Sequence, residues 1–200
     1  MTMITVSGLG ESHTRAERAT LTAEVAIAHA DRAMSIRQGT AVHAQLAEEA
    51  ARLRASGAAT WHSVDVLSTS ARVWTDKDGV KHRDHVTRGT VRVKMSRLAE
   101  VADVVAVLST LGAAVSTSWA LTEVTRDAVT RHLRTVAVKD ARAKADDFAA
   151  ALGQAVQRVV AIREDDGYAP QGARGSGGAP ELTIPEITVR VAVKGDFETE

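Results

Sequence analysis

The chain has 200 residues, with Lys+Arg and Asp+Glu both at 25, so its formal net charge is zero. That balance argues against a dedicated nucleic-acid or anionic-membrane protein, which would carry a basic excess. There is no cysteine, which fits a reducing compartment, and a chain of this size buries about 70% of its unfolded surface without disulfide staples.

Met1-Thr2-Met3-Ile4-Thr5-Val6 has no basic segment and no apolar core, so no signal peptide is expected. No apolar run approaches the roughly 18 residues of a membrane span. Both observations point to a cytoplasmic location.

Met3–Ser7 reads as a short strand ending at Gly8-Leu9-Gly10, a turn of the kind that takes glycine for positive φ. Thr20–Ala30 alternates, with Leu21, Ala23, Val25 and Ile27 on one side and Thr20, Thr22 and Glu24 on the other. That pattern is a half-buried strand of an antiparallel sheet. Thr40 opens a helix with Val42, Leu46, Ala50 and Leu53 on one face, stopped at Gly57. Trp61–Ser68 and Ala71–Thr75 read as strands, and Asp76-Lys77-Asp78-Gly79 as a hairpin turn. His85–Met95 is the return strand. Ser96 is the expected N-cap of a helix carrying Leu98, Val101, Val104, Val105 and Leu108, stopped at Gly112.

Val115–Thr122 reads as a strand, and Thr125–Gly153 as one long helix of about 28 residues, roughly 42 Å. Its apolar positions are Val129, Leu133, Val136, Ala137, Ala141, Ala145, Phe148, Ala149 and Leu152. The alanine-rich middle lets a sheet approach closely, with Leu133 and Phe148 filling space at either side. Arg131, Arg134, Arg142 and Lys144 form a basic face. The i,i+4 pairs Asp127–Arg131, Asp140–Lys144 and Arg142–Asp146 neutralise it, so it reads as solvated surface. Ala155–Glu164 is a strand. Asp165–Pro180 is a Gly-rich loop, expected to be flexible. Ile187, Val189, Val191 and Val193 alternate along a closing strand, with the tail Asp196–Glu200 expected to fray.

The order strand, helix, Gly-Ala-Ala, strand occurs twice, around Gly57-Ala58-Ala59 and Gly112-Ala113-Ala114. A duplicated βαβ-type unit would produce it, and so would two helices that merely end alike, since glycine is common at C′. The fold class is therefore α+β: antiparallel sheet covered on one side by helices, including the long helix at about 125–152. The chain reads as a single domain, with two lobes, about 1–80 and 81–200, as an option.

Three stretches together resemble the SIMPL-domain family, whose function is largely undefined. They are Val6-Ser7-Gly8-Leu9-Gly10-Glu11, the run Ala137–Gly153 continuing through Val156–Glu164, and Ile184-Pro185-Glu186-Ile187-Thr188-Val189-Arg190-Val191. The resemblance covers nearly the whole chain and implies α+β architecture and homo-oligomers. Some family members resemble subunits of ring- or channel-like assemblies, and some are periplasmic and linked to stress defence. This chain departs from those in its N-terminus. The family supplies no catalytic residues to carry over.

Among chemistry-bearing residues, His82-Arg83-Asp84-His85 is the densest cluster. His82, Asp84 and His85 are weak candidates for a metal, because a structural site wants about four ligands and strand positions i and i+3 face opposite ways. The same residues would serve a metal-dependent hydrolase. The His-Arg-Asp triplet lacks the rest of a kinase set. Gly8-Leu9-Gly10 lacks the third glycine of a dinucleotide site, and 172–178 lacks the Gly-Lys-Ser/Thr of a P-loop. His43 and His132 read as surface histidines. Glu48 and Glu49 are adjacent and cannot face one substrate. Trp61, Trp74 and Trp119 read as core or interface residues. The sequence thus points to a non-enzymatic self-associating protein with no cofactor and no nucleic-acid partner. A module binding a small ligand or protein partner through a sheet face or the Gly-rich loop is the alternative.

Overall fold

Alternation builds strands that are long compared with the segments read from sequence. In a computed structural model describing residues 2–165, 174–175 and 183–200, the chain forms two compact units. The first gathers residues 1–16, 121–173 and 185–200, and the second 17–120 and 174–184. The units interleave along the sequence, and residues 80 and 81 lie together within the second.

In the first unit, β1 (Thr2–Arg15) pairs antiparallel with β9 (Glu186–Thr199), which pairs antiparallel with β7 (Val156–Glu164). The sheet order is β1-β9-β7. Ile4, Val6, Val189, Val191, Val193 and Phe197 point to one face and are buried. The helix α3 (Glu123–Ala151) lies on β1 and β9, burying Leu133, Ala137, Ala141, Ala145 and Ala149. Steps of four residues make this one ridge of small side chains.

Several boundaries differ from the sequence reading. β1 runs straight through Gly8-Leu9-Gly10, and neither glycine has positive φ. Both face α3: a Cβ on Gly8 would sit 2.0 Å from the Ala137 carbonyl oxygen, and one on Gly10 2.5 Å from that of Leu133. These glycines admit a helix and make no turn. The N-cap of α3 is Thr122, whose hydroxyl accepts from the Thr125 amide, so the helix starts ahead of Thr125. Phe148 is 58% exposed and fills no space beside the alanines. The tail is no frayed end. β9 continues to Thr199, because Phe197, fully buried, pairs with Ile4 on one side and Val159 on the other.

In the second unit, β2 (Arg18–His29) and β5 (Lys81–Met95) form the centre of a sheet. β6 (Ala114–Ala120) flanks β2, and β3 (Ala59–Val64) flanks β5. β4 (Ser68–Thr75) also pairs with β5, beyond β3 along the same edge. The short β8 (Arg174–Gly175) pairs with Thr117 and Ser118 of β6. The other residues of the Gly-rich loop, apart from Asp165, lie outside the described residues.

Two helices join these strands. α1 (Arg32–Ala55) lies over β5, β2 and β3, and α2 (Val101–Thr110) over β6 and β2. The order β3-β5-β2-β6 with connections β2-α1-β3 and β5-α2-β6 makes the repeat a split βαβ pair, a ferredoxin-like arrangement. Both helices stop at glycines with positive φ, Gly57 at +74° and Gly112 at +95°. The core joins Leu21, Val25, Val91, Val93 and Met95 to Leu46, Leu53, Val101 and Leu108. Each such side chain contributes about 1.5–3 kcal/mol.

α1 starts at Arg32, two turns before Thr40, because Asp31 caps it by accepting from the amides of Ala33 and Met34. Gly39 hides that start in the sequence. It serves close approach, since a Cβ there would lie 2.6 Å from Thr87 Cγ2. Ser96 is no N-cap: its hydroxyl donates to the carbonyl of Ala58, and a short 3₁₀ turn, Leu98–Glu100, precedes α2.

Candidate functional site

The second unit carries a two-stranded ribbon. β5 pairs with β2 only from His85 onward, whereas β4 follows β5 back to Lys81. Lys81–Asp84 and their β4 partners therefore lie beyond β2, for about 14 Å at 3.4 Å per residue. Asp76–Val80 closes the ribbon. The Asp76 amide donates to the Val80 carbonyl, and Gly79 takes φ +80°. The Asp76 carboxylate accepts from the amides of Asp78 and Val80, which fixes the turn.

The metal candidates sit here and are otherwise engaged. His82 Nε2 lies 2.6 Å from Asp76 Oδ2, and its ring stacks on Trp74 with centroids 4.5 Å apart. Asp84 accepts from the Trp74 indole N–H at 2.7 Å and from Arg72 at 3.1 Å. His82 and Asp84 share one strand face. His85 points to the other, opposite Ala71 and His29. The Trp74 indole, then Arg72, hold the Asp84 carboxyl below the usual carboxylate range. His82, then the two turn amides, do the same for Asp76. Among the described residues no three His, Cys, Asp or Glu gather to hold an ion.

Trp74 and His82 occupy one ribbon face with Arg72 and Asp84. The other face carries Val73 opposite Arg83 and Thr75 opposite Lys81. Val73 is 64% exposed, and Trp74 and Val80 are exposed as well. Among the described residues Lys77, Lys81 and Arg83 have no carboxylate partner.

At the other end of the same unit, a groove of about 240 Å³ opens between α1 and α2. Its lining combines the charged Glu49, Arg52, Glu100 and Asp103 with Leu53, Ser56, Val104 and Val107. Arg52 is paired with Glu49 at 2.5 Å, and Glu100 with Arg97 at 3.3 Å. Asp103 has no partner among the described residues. Glu48 is exposed while Glu49 turns into the groove. No sequence pattern announces this groove, because its residues come from two helices that only the fold brings together.

Of the two histidines read as surface groups, His132 is exposed and His43 is not. His43 is 8% exposed and packs on Gly89, whose missing Cβ would lie 2.7 Å from His43 Cδ2. Its Nε2 is buried without a hydrogen-bond partner among the described residues. One helical turn before Gly39, the Ser35 hydroxyl meets that of Thr87 at 2.9 Å, and Thr87 meets Thr69 at 2.9 Å. Trp119 is core, while Trp61 is exposed with Lys94 over its ring.

A family model, SIMPL, described as a protein of unknown function (DUF541), matches residues 4–197. The chain belongs to the SIMPL family. No curated protein matches it.

The stretches that carry the SIMPL resemblance assemble almost wholly into the first unit. Val6–Glu11 supplies the glycine seat, Ala137–Gly153 the alanine ridge, and Glu186–Val191 part of the middle strand. The side of that sheet away from α3 carries charges. Glu11 bonds Arg190, Arg158 bonds Glu198, and Asp196 accepts from Thr5 and Arg163. Arg190 chiefly holds the Glu11 carboxyl below its ordinary range, and Arg163 that of Asp196. On α3, Arg142 pairs with Asp146 and Lys144 with Asp140 at the expected spacing, whereas Arg134 pairs with Glu164 of β7 and Asp127 and Arg131 form no ion pair among the described residues. No helix among the described residues of this SIMPL chain is long and apolar enough to cross a membrane.

Proposed function

We propose that this SIMPL chain works as a non-enzymatic, self-associating subunit. The observation that carries the reading is the ribbon of β4 and β5, which holds Val73, Trp74 and Val80 in the open beyond β2. An isolated two-stranded ribbon is marginal in water and gains from a covering surface. Tryptophan is also enriched at protein interfaces. The family resemblance supports the same reading.

Light scattering on the protein eluting from a sizing column tests it at two widely separated micromolar concentrations. A mass that is a fixed multiple of 21.2 kDa and survives dilution is the expected result. A 21.2 kDa particle at both concentrations would sink it.

A further inference from the structure

We infer that the ribbon of one copy docks into the α1–α2 groove of a second copy, with Lys81 and Arg83 meeting Glu49, Glu100 and Asp103 around a shared apolar centre. The inference rests on the self-association reading and names its contact.

Charge complementarity is the first argument. On the ribbon, Asp76 and Asp84 are taken by His82, Trp74 and Arg72, while among the described residues Lys77, Lys81 and Arg83 have no carboxylate partner and Asp78 is the one carboxylate without a cation, so the balance is positive. Three carboxylates and one guanidinium line the groove, and that guanidinium, Arg52, is already bonded to Glu49. The ribbon therefore brings spare cations and the groove a spare anion, Asp103. Apolar matching is the second argument. Val73 stands directly across from Arg83 on the ribbon face that also carries Lys81. The groove lining likewise combines carboxylates with apolar residues: Val107 is exposed, and the buried Leu53 and Val104 contribute beside it.

Size argues for a side-chain guest. Pockets for drug-sized ligands run to about 300–1,000 Å³, and this groove at about 240 Å³ falls below them. It suits one or two inserted side chains. Geometry then requires the guest to come from another molecule. The groove residues Leu53 and Ser56 lie just before Ala59, which pairs with Met95 at the far end of β5. Lys81 opens the same strand. Fourteen residues at 3.2–3.4 Å each separate the two ends by about 45 Å, so the ribbon cannot reach its own groove. The contact is head-to-tail, and repeating it yields a closed ring or an open filament.

Charge reversal in the full chain tests the pairing, with sizing and light scattering as readout. The variants are Lys81→Glu/Arg83→Glu on the ribbon and Glu100→Lys/Asp103→Lys in the groove. All four positions are on the surface, and circular dichroism checks that each variant is folded. Each variant alone is expected to raise the concentration of half-assembly by about tenfold or more, the scale of losing close charge pairs. An equimolar mixture is expected to recover assembly, because each reversed surface then finds an opposite one. Because the chain has no cysteine, Lys81→Cys/Asp103→Cys offers an independent readout. A bis-maleimide should convert it into a ladder of covalent oligomers, while either single variant stops at dimers. Variants that assemble as the wild type does, or a mixture that stays dissociated, would overturn the ribbon-in-groove contact and leave self-association standing. A monomeric wild type would overturn the underlying reading instead.

Discussion

Gly8 lies against the backbone of Ala137, so close that a Cβ added to Gly8 would stand 2.0 Å from the Ala137 carbonyl oxygen and 2.8 Å from the Ala141 Cβ. Backbone cannot rotate away as a flexible side chain would, so the strand or the helix must shift. Overpacking of this kind costs about 3 kcal/mol or more. Gly8→Ala is therefore expected to lower the urea midpoint sharply. Gly153→Ala is the control. Gly153 has φ +68° with open space around it, so it carries only the left-handed backbone penalty of about 1–2 kcal/mol. Equal losses in the two variants would show that Gly8 seats nothing.

The same helix also guards the edge of β1 away from β9. Asp140 accepts from the Leu9 amide at 2.8 Å and from Lys144 at 2.7 Å, while the Lys144 ammonium donates to the Ser7 carbonyl at 3.1 Å. An open edge strand invites pairing with another chain, and charged side chains blunt that. Lys144, and then the Leu9 amide, hold the Asp140 carboxyl below its ordinary value. A depressed carboxylate pKa means the unfolded chain takes up the proton first as pH falls. The stabilisation is therefore full above the unfolded value near 4 and is lost as pH drops through the lower, folded value. Urea midpoints measured from pH 6 down to pH 2 should fall more steeply for the wild type than for Asp140→Asn. Parallel curves would remove Asp140 from the edge.

Much of this was legible in the residues. Alternation placed β2 and β9, and Gly57, Gly112 and Gly153 marked the ends of the three helices. The duplicated strand–helix–strand order became two interleaved halves of one sheet. The errors came from glycine and from chain ends. Gly8, Gly10 and Gly39 look like breaks in one dimension, yet each makes room for a tertiary neighbour that sequence does not display. Asp196–Glu200 looks like a tail, yet Phe197 completes the core under α3. The candidate site was half visible. The Asp-Gly turn announced the hairpin, whereas the groove needs Glu49 and Asp103, 54 positions apart, on neighbouring helices. His43 misled because its neighbours Ala44 and Gln45 are exposed and only Gly89 opens a place for the ring.

His43 carries a buried Nε2 with no partner among the described residues, beside Gly89 and Leu67. A buried nitrogen without a hydrogen bond costs about 1–3 kcal/mol relative to an apolar group of the same shape. His43→Met should therefore fold and be as stable as the wild type or more so. Gly89→Ala should lose stability, since its Cβ would meet both Leu67 and His43 within 2.7 Å. Chemical denaturation of both variants reads the outcome. A loss of about 2 kcal/mol or more in His43→Met would mean that Nε2 serves a bound group.

Phe197 is the fourth residue from the end of the sequence and is fully buried. It lies between Ile4 and Val159 in the sheet, and its ring also fills the space that Gly195 leaves open, 2.6 Å from where a Cβ would stand. Phe→Ala in a core removes a large apolar area and leaves a cavity, at about 3–5 kcal/mol. Phe197→Ala should therefore destabilise the protein far more than Phe148→Ala, whose side chain is mostly exposed. Removing Phe197–Glu200 adds the loss of the Glu200–Ala155 backbone pair to that of the ring. Far-UV circular dichroism of the truncated chain should show the unit built on β9 melting first. A truncated chain with an unchanged melting curve would return those residues to the status of a tail.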